Sequence, residues 1–343
     1  MKTTASILTL SAAAVACLCA QEDPHMGDWV GQATWKDGSS APLAVRMIPD
    51  GNHRYRLRVF STFSERAPAQ HELLGRIADG RFIFLDDLPL EAAHVLRSVD
   101  DGLVVRAAMW SGEGAGRISG KVSGRLDGEF VLEKQQWKPS PTLGRAAPEG
   151  AVVLFDGSDL KHWVKKGNPS EPAGWKLVEG GAMEVAGGDI MTREKFGDHE
   201  LHLEFRLPYM PGARGQGRAN SGVYPQGRYE VQVLDSYGLD GEDNECGGIY
   251  TQAKPRLNMC APPLVWQTYD ITLRAPRFGS DGERISKARI TVAHNGTVIH
   301  DDLELEKPTG GALNGEEAGP GPLLLQDHGN PVWYRNIWAR TLE

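Results

Sequence analysis

The sequence lacks several features that would place it in common functional classes. No segment after residue 18 offers the roughly 18 consecutive apolar residues of a membrane-spanning helix, so no membrane span is expected. It has no long basic run, and its formal net charge of −8 disfavours nucleic-acid binding. Cysteine is scarce, with four in 343 residues. What remains is a chain of ordinary globular composition, long enough for about two domains.

The N-terminus has the pattern of a secretory signal peptide, which we assign to residues 1–20. Lys2 supplies the positive charge, and the apolar stretch 7–18 is too short to span a membrane. Cleavage after Ala20 predicts an exported protein, either periplasmic or secreted. The alternative is a lipoprotein lipidated at Cys17, which is disfavoured because residues 14–16 lack the leucine usual there.

Cleavage of the signal peptide leaves two cysteines, Cys246 and Cys260. In an oxidising compartment such a pair favours one disulfide. A thiolate metal site is the alternative, and it is less favoured because no close group of histidines accompanies the two thiols.

Short β-strand patterns separated by turn residues run through the first half of the chain. Residues 55–60 alternate polar with apolar side chains, as a half-buried strand does. Asp79-Gly80 predicts a hairpin turn. Since residues 23–138 show no sustained helical periodicity, they are predicted to form a small β-barrel or sandwich, whose role the sequence does not indicate.

The second half is predicted to be a separate β domain at residues 151–343. Residues 139–150 form the predicted linker, because they contain three prolines, small residues and no apolar periodicity. About ten strand patterns follow, with a two-residue hairpin turn at Asn295-Gly296. This number of strands predicts a two-sheet jelly roll, so the fold class is all-β throughout.

Polar side chains recur on the non-core face of several of these strands. Residues two apart on a strand share a face, so Glu230 and Gln232 lie opposite Val231, and Asp235 follows at the strand end. Similar groups on other predicted strands are His202, Glu204, Arg206, Gln326, His328 and Arg335. Such residues often only face water. Their convergence from separate strands nevertheless predicts one groove that binds sugar hydroxyls.

Several longer motifs of the second half occur in the order found in one known family. They are Leu154-Phe155-Asp156-Gly157, Asn220-Ser221-Gly222-Val223-Tyr224, Gly227-Arg228-Tyr229-Glu230-Val231-Gln232-Val233-Leu234-Asp235-Ser236, Leu325-Gln326-Asp327-His328-Gly329-Asn330-Pro331 and Arg335-Asn336-Ile337-Trp338. With these motifs the chain from residue 153 onward resembles the 3-keto-disaccharide hydrolase domain family, formerly a domain of unknown function. The first half is not covered.

The resemblance implies a concanavalin-like jelly-roll sandwich, the fold shared by lectins and laminarinase-type glucanases. It also implies cleavage of glycosides already oxidised to a ketone at C3 of the sugar, with a small oligosaccharide or glycoside as substrate. The C2 proton beside such a ketone is acidic. A base can remove it, the aglycone leaves from C1, and water then adds to the unsaturated sugar, giving net hydrolysis.

Roles for individual residues are a hypothesis drawn from strand face and chemistry. Glu230 is the predicted base, His328 or Asp235 protonates the leaving oxygen, and Arg206 or Arg335 stabilises the enediolate. The predicted substrate-binding residues are Glu204, Asn220, Tyr224, Gln232, Gln326 and Arg335.

Three questions stay open from the sequence alone. No cofactor is assigned, although a divalent cation held by carboxylates and His328, or by the acidic loop 241–245, is an option. One alternative function is a non-catalytic, lectin-like sugar-binding protein. The other is an ordinary glycosidase that uses Glu204 and Glu230 as its two carboxylates.

Overall fold

The computed structural model describes residues 23–60, 62–63, 69–78, 81–84, 103–110, 116–124 and 128–342. The predicted signal peptide, Cys17 included, and the turn Asp79-Gly80 lie outside the described residues. Export of the protein therefore stays a prediction. Among the residues that the structure describes, no helix has the length and apolar character needed to cross a membrane.

The first half of the chain is a closed antiparallel barrel of eight strands, in the order in which they occur along the chain. The strands are β1 (Gly27–Trp35), β2 (Ser40–Pro49), β3 (Arg54–Phe60), β4 (His71–Ala78), β5 (Arg81–Phe84), β6 (Leu103–Trp110), β7 (Arg117–Gly124) and β8 (Gly128–Lys134). The alternation predicted for residues 55–60 is confirmed, since Tyr55, Leu57 and Val59 are buried while the arginines between them are partly exposed.

The second half contains sixteen strands, from β9 to β24. They are β9 (Val152–Phe155), β10 (Trp163–Lys165), β11 (Asn168–Pro172), β12 (Lys176–Val178), β13 (Ala182–Glu184), β14 (Ile190–Thr192), β15 (His199–Arg206), β16 (Ser221–Tyr224), β17 (Val231–Val233), β18 (Trp266–Arg274), β19 (Arg277–Phe278), β20 (Arg284–Ser286), β21 (Ala288–His294), β22 (Thr297–Leu305), β23 (Leu324–Leu325) and β24 (Trp333–Thr341). The three helical segments in the described part of the chain are single 3₁₀ turns at Glu179–Gly181, Gly215–Gly217 and Pro225–Gly227.

These strands form a two-sheet sandwich, as the predicted jelly roll requires. The smaller sheet has the order β11-β10-β14-β23-β16-β17. The larger has the order β12-β13-β24-β15-β18-β21-β22, with β9 also paired to β24, while β19 and β20 form a separate hairpin. One apolar core lies between the two sheets, with Leu203 and Phe205 from β15 and Val231 and Val233 from β17. Polar neighbours on these strands therefore face outward, on opposite sides of the sandwich.

The predicted linker, residues 139–150, packs against the outer face of the larger sheet. Ser140 Oγ lies 2.7 Å from Thr268 Oγ1, and the Thr142 hydroxyl donates to Asp270 Oδ2 at 2.7 Å. The Gly144 amide donates to Glu204 Oε1 at 2.6 Å. Residues 140–144 of the segment are thus anchored by hydrogen bonds to β15 and β18.

The disulfide favoured from the sequence is not formed, and both cysteines are buried free thiols. Each sulfur has a polar contact within the core instead. Cys246 Sγ lies 3.2 Å from the Tyr269 hydroxyl, and Cys260 Sγ lies 3.5 Å from the carbonyl oxygen of Leu234. The predicted oxidising compartment and the number of cysteines could not show that both thiols are buried beside polar groups of the core.

Candidate functional site

Strand alternation places a row of polar side chains on the outer face of the smaller sheet. On β17, Val231 and Val233 enter the core, so Glu230 and Gln232 point the other way. On the neighbouring strand β16, Val223 is in the core, and Tyr224 packs in a separate cluster on the outer side. Of the predicted site residues, this face brings together Glu230, Gln232, Tyr224, Gln326 and Asn220.

Glu230 is the most perturbed carboxyl group of this face. Its side chain is 2% exposed, and its backbone amide donates to Thr309 Oγ1 at 2.8 Å. Burial raises the pKa of Glu230 to about 7, and the negative charge of Asp189 adds to this effect. A hydrogen bond from the Tyr224 hydroxyl and the positive charge of Lys166 act in the opposite direction. Near neutral pH this carboxyl group can therefore both take up and release a proton.

The absence of a side chain at Gly222 leaves room for the Glu230 carboxylate. A Cβ atom at Gly222 would overlap Glu230 Oε1 and would lie 2.8 Å from Cε2 of Tyr224. No side chain fits there, so the carboxylate lies directly over the backbone of β16. The motif that carries the family resemblance thus contains a glycine for a steric reason.

Tyr224 connects Glu230 to the loops around it. Its single hydroxyl proton has two possible acceptors, the Glu230 carboxylate and the carbonyl oxygen of Gly310 at 3.1 Å, while its oxygen accepts a hydrogen bond from Gln326 Nε2 at 3.0 Å. Burial raises the pKa of Tyr224 far above its usual value, so the hydroxyl stays protonated as a donor.

Two amide oxygens of the site are buried without a hydrogen-bond partner among the described residues, namely Gln326 Oε1 and Asn220 Oδ1. The orientation of the Asn220 amide follows from its donors, since Nδ2 bonds the Gln216 carbonyl oxygen at 2.8 Å. Unpaired buried acceptors are costly.

Lys166 and Asp189 complete the site, and neither was assigned to it from the sequence. Lys166 Nζ lies 3.0 Å from Asp189 Oδ2 and donates to the Gly311 carbonyl oxygen at 2.8 Å. The backbone amide of Asp327 donates to Asp189 Oδ1 at 2.9 Å. Asp189 has the sequence pattern of a turn residue, and Lys166 carries no sequence signal, because strand pairing alone brings these segments beside Glu230.

His202, Glu204, Arg206 and Arg335 do not lie with Glu230, so the prediction of one shared groove is wrong for these four residues. They lie on the outer face of the larger sheet, where Arg335 Nε bonds Glu204 Oε2 at 2.7 Å. Arg206 lies over the Trp333 ring. The sequence could show which face of its strand each residue occupies, but not in which sheet the strand lies.

The same arrangement overturns the two-carboxylate glycosidase built on Glu204 and Glu230. Such a pair must stand about 5 to 9.5 Å apart on either side of one glycosidic bond. Here the whole core of the sandwich separates the two carboxylates.

Asp235 and His328, the other predicted catalytic residues, differ in their surroundings. Asp235 is fully buried and pairs with Arg218, whose Nε lies 2.6 Å from Asp235 Oδ2. Burial raises the pKa of Asp235, while Arg218 opposes that shift. His328 is exposed in the loop after β23, two residues beyond Gln326.

The geometry does not support the cation sites suggested by the sequence. Within the described ranges, no group of three or more His, Cys, Asp or Glu side chains is arranged to hold a metal ion. In the acidic loop, Glu245 Oε2 accepts hydrogen bonds from the amides of Gly241 and Glu242, at 2.7 and 3.0 Å. The Glu245 carboxylate therefore stabilises the turn of its own loop through these two hydrogen bonds.

Comparison with known proteins gives three consistent findings. Residues 150–340 match the model of a family described as the 3-keto-alpha-glucoside-1,2-lyase-like domain. A 3-keto-disaccharide hydrolase of Bacteroides thetaiotaomicron is 25% identical over 244 residues, covering 57% of this chain and 79% of that protein. A solved structure of a candidate glycosyl hydrolase from Parabacteroides distasonis superposes with a TM-score of 0.53 at 37% identity, covering 57% of this chain and 85% of the other. The family match begins after the barrel, so it covers the sandwich and its polar face.

Proposed function

This chain belongs to the family of 3-keto-alpha-glucoside-1,2-lyase-like domains, and from that premise we propose that it cleaves glycosides whose sugar carries a ketone at C3. The relatives support a hydrolase of the glycosyl hydrolase type. The observation that carries the finer assignment is the buried Glu230 carboxyl group, with its pKa at about 7. A general base works best when its pKa lies near the working pH.

In the proposed reaction, the Glu230 carboxylate removes the proton from C2 beside the C3 ketone. The C–H electron pair moves into the C2–C3 bond, and the carbonyl oxygen takes up the negative charge. When the negative charge on that oxygen re-forms the C3 carbonyl group, the C2–C3 electron pair moves to form a C1–C2 double bond, and the C1–O bond to the aglycone breaks. The leaving oxygen gains a proton, for which exposed His328 is the predicted donor. Water then adds its oxygen to C1 and a proton to C2, giving net hydrolysis.

The charges and hydrogen bonds around Glu230 suit this reaction. The Lys166 ammonium group is the nearby cation that would stabilise the enediolate, in place of Arg206 and Arg335. The protonated Tyr224 hydroxyl holds the carboxylate in position, while the unpaired oxygens of Asn220 and Gln326 would accept sugar hydroxyls.

The experiment is to follow exchange of the C2 proton with deuterated water and release of the aglycone, using a 3-keto-disaccharide and its unoxidised parent. Glu230→Gln keeps the shape of the side chain and removes the base, so exchange and release should both fall by roughly 10²- to 10⁴-fold. Glu200→Gln is the matched control, because Glu200 pairs with Arg340 on the larger sheet. Undiminished activity of Glu230→Gln would disprove the base assignment.

Comparing the 3-keto-disaccharide with its unoxidised parent distinguishes the proposed activity from the alternative functions. Release from the keto substrate alone supports abstraction at C2. Tight sugar binding without release from either substrate would instead indicate a lectin-like protein, which has no need for a carboxyl group of raised pKa. Release from the unoxidised parent would indicate a conventional glycosidase.

A further inference from the structure

The turn between β2 and β3 of the barrel is packed against the loop that leads into β16. Arg214 Nη2 lies 2.6 Å from Asp50 Oδ1, and Arg218 Nη1 donates to the carbonyl oxygen of Pro49 at 3.2 Å. A Cβ atom at Gly51 would lie only 3.0 Å from Cα of Gly212. The barrel and the sandwich therefore make close contact at this point.

A cavity of about 170 Å³ opens between the barrel and the sandwich at this contact. It is lined by equal numbers of guanidinium and carboxylate groups, which are Arg56, Arg214, Arg218, Asp50, Asp235 and Glu245. The positive and negative groups balance, so the cavity has no net charge with which to select an anion or a cation. A lining that offers both guanidinium donors and carboxylate acceptors suits a neutral compound with many hydroxyl groups.

Gln216 joins this cavity to the polar face that carries Glu230. It lines the cavity, and its Oε1 accepts hydrogen bonds at 3.1 Å from Asn220 Nδ2 and from Gln232 Nε2. Its own Nε2 donates to the carbonyl oxygen of Asn244 at 2.7 Å. Since Gln232 and Glu230 are two residues apart on one face, about 7 Å separates them along the chain. The cavity thus begins one side chain away from the row that includes the proposed base.

We propose that this cavity binds the leaving-group sugar of the 3-keto-glycoside, while the oxidised ring lies over Glu230. This inference rests on the proposed function and assigns a role to the barrel, which contributes Ile48, Asp50 and Arg56 to the lining. The family match starts at residue 150, so the family domain alone does not supply these three barrel residues of the lining.

The test fills the cavity and measures selectivity between leaving groups. Asn244 is an exposed lining residue that uses its backbone oxygen to hold Gln216, so Asn244→Trp adds bulk and keeps that hydrogen bond. For this variant, the ratio of kcat/KM for a 3-keto-disaccharide to kcat/KM for a methyl 3-keto-glycoside should fall by about tenfold or more. Glu242→Trp is the matched control, being an exposed residue of the same loop that does not line the cavity. It should leave the ratio within about twofold of the wild-type value.

An unchanged ratio in Asn244→Trp, or an equal fall in Glu242→Trp, would overturn the subsite. Calorimetry with the unoxidised disaccharide distinguishes this failure from failure of the proposed function. If the wild-type protein cleaves neither keto substrate, disaccharide binding that is lost in Asn244→Trp and kept in Glu242→Trp still supports the cavity. Absence of binding to the wild type, or equal binding by both variants, rejects it.

Discussion

The carboxylate of Glu230 lies against the backbone of Gly222, where a Cβ atom would overlap its Oε1. Gly222→Ala should therefore displace the carboxylate and press on the Tyr224 ring, which lies 2.8 Å from the position that the new methyl group would take. A displacement of about 1 Å can cost roughly 10²-fold in rate, and we expect kcat to fall by at least that factor. Steady-state kinetics on a 3-keto-disaccharide measures it.

The matched control is Gly197→Ala, because a Cβ atom at Gly197 meets no atom within 4 Å. That variant should keep wild-type kcat, and both variants should unfold cooperatively on heating. Equal activity of the two variants would show that the position of Glu230 over β16 is not needed for turnover.

The pH dependence of activity follows from the raised pKa of Glu230. Removal of a carbon-bound proton needs the carboxylate form, so kcat/KM should rise with pH through about 7 and then level off. Tyr224→Phe removes a hydrogen bond that favours the carboxylate, so the rising limb should move to higher pH. A rising limb near pH 4.5 in the wild type would contradict the assignment.

The same group should reduce stability at high pH. The pKa of Glu230 is raised from 4.5 to about 7 in the folded state, so between those values the folded protein binds more protons than the unfolded one. Its stabilising contribution is complete below pH 4.5 and is lost as pH rises through 7, by about 3 kcal/mol at most. Glu230→Gln should therefore be more stable than the wild type at pH 8, and this advantage should shrink at pH 5. Urea unfolding at both pH values measures the difference, and an advantage independent of pH would contradict the prediction.

Strand period and turn residues were enough to predict the all-β class, and the outward direction of Glu230 and Gln232 followed from the same period. The sequence pattern could not predict which of the two sheets each strand belongs to. Glu204 and Glu230 have the same pattern in sequence, yet the pairing of β15 with β24 and of β17 with β16 puts them in different sheets.

Contributions from loops were also beyond the sequence. Thr309 reaches Glu230 only because the loop that carries it packs over the smaller sheet, and Lys166 lies in the turn between β10 and β11 of that sheet. No periodicity or motif marks such residues, since their position depends on tertiary packing. The cysteines give a second example, because their number suggested a bridge while the structure has both as buried free thiols.

Glu204 provides the contrasting case of a buried carboxylate outside the proposed active site. Burial alone would push its pKa up, but hydrogen bonds from His202, Asn336, Gly144 and Arg335 outweigh that effect and hold the pKa of Glu204 at about 2. A lowered pKa means that its stabilising contribution is present above pH 4.5 and is lost as pH falls through about 2. Glu204→Gln should therefore destabilise the protein at pH 7 by up to about 3 kcal/mol, and the loss should shrink in acid.

Measurements of kcat distinguish the role of Glu204 from that of Glu230. Because Glu204 holds the segment at Gly144 against the larger sheet, Glu204→Gln should lower the melting temperature and leave kcat near the wild-type value at 25 °C. Glu230→Gln should do the reverse at pH 8, with higher stability and little activity. Measuring both quantities for both variants gives opposite patterns if the two outer faces have separate roles. A loss of kcat in folded Glu204→Gln that matches the loss in Glu230→Gln would return Glu204 to the catalytic site.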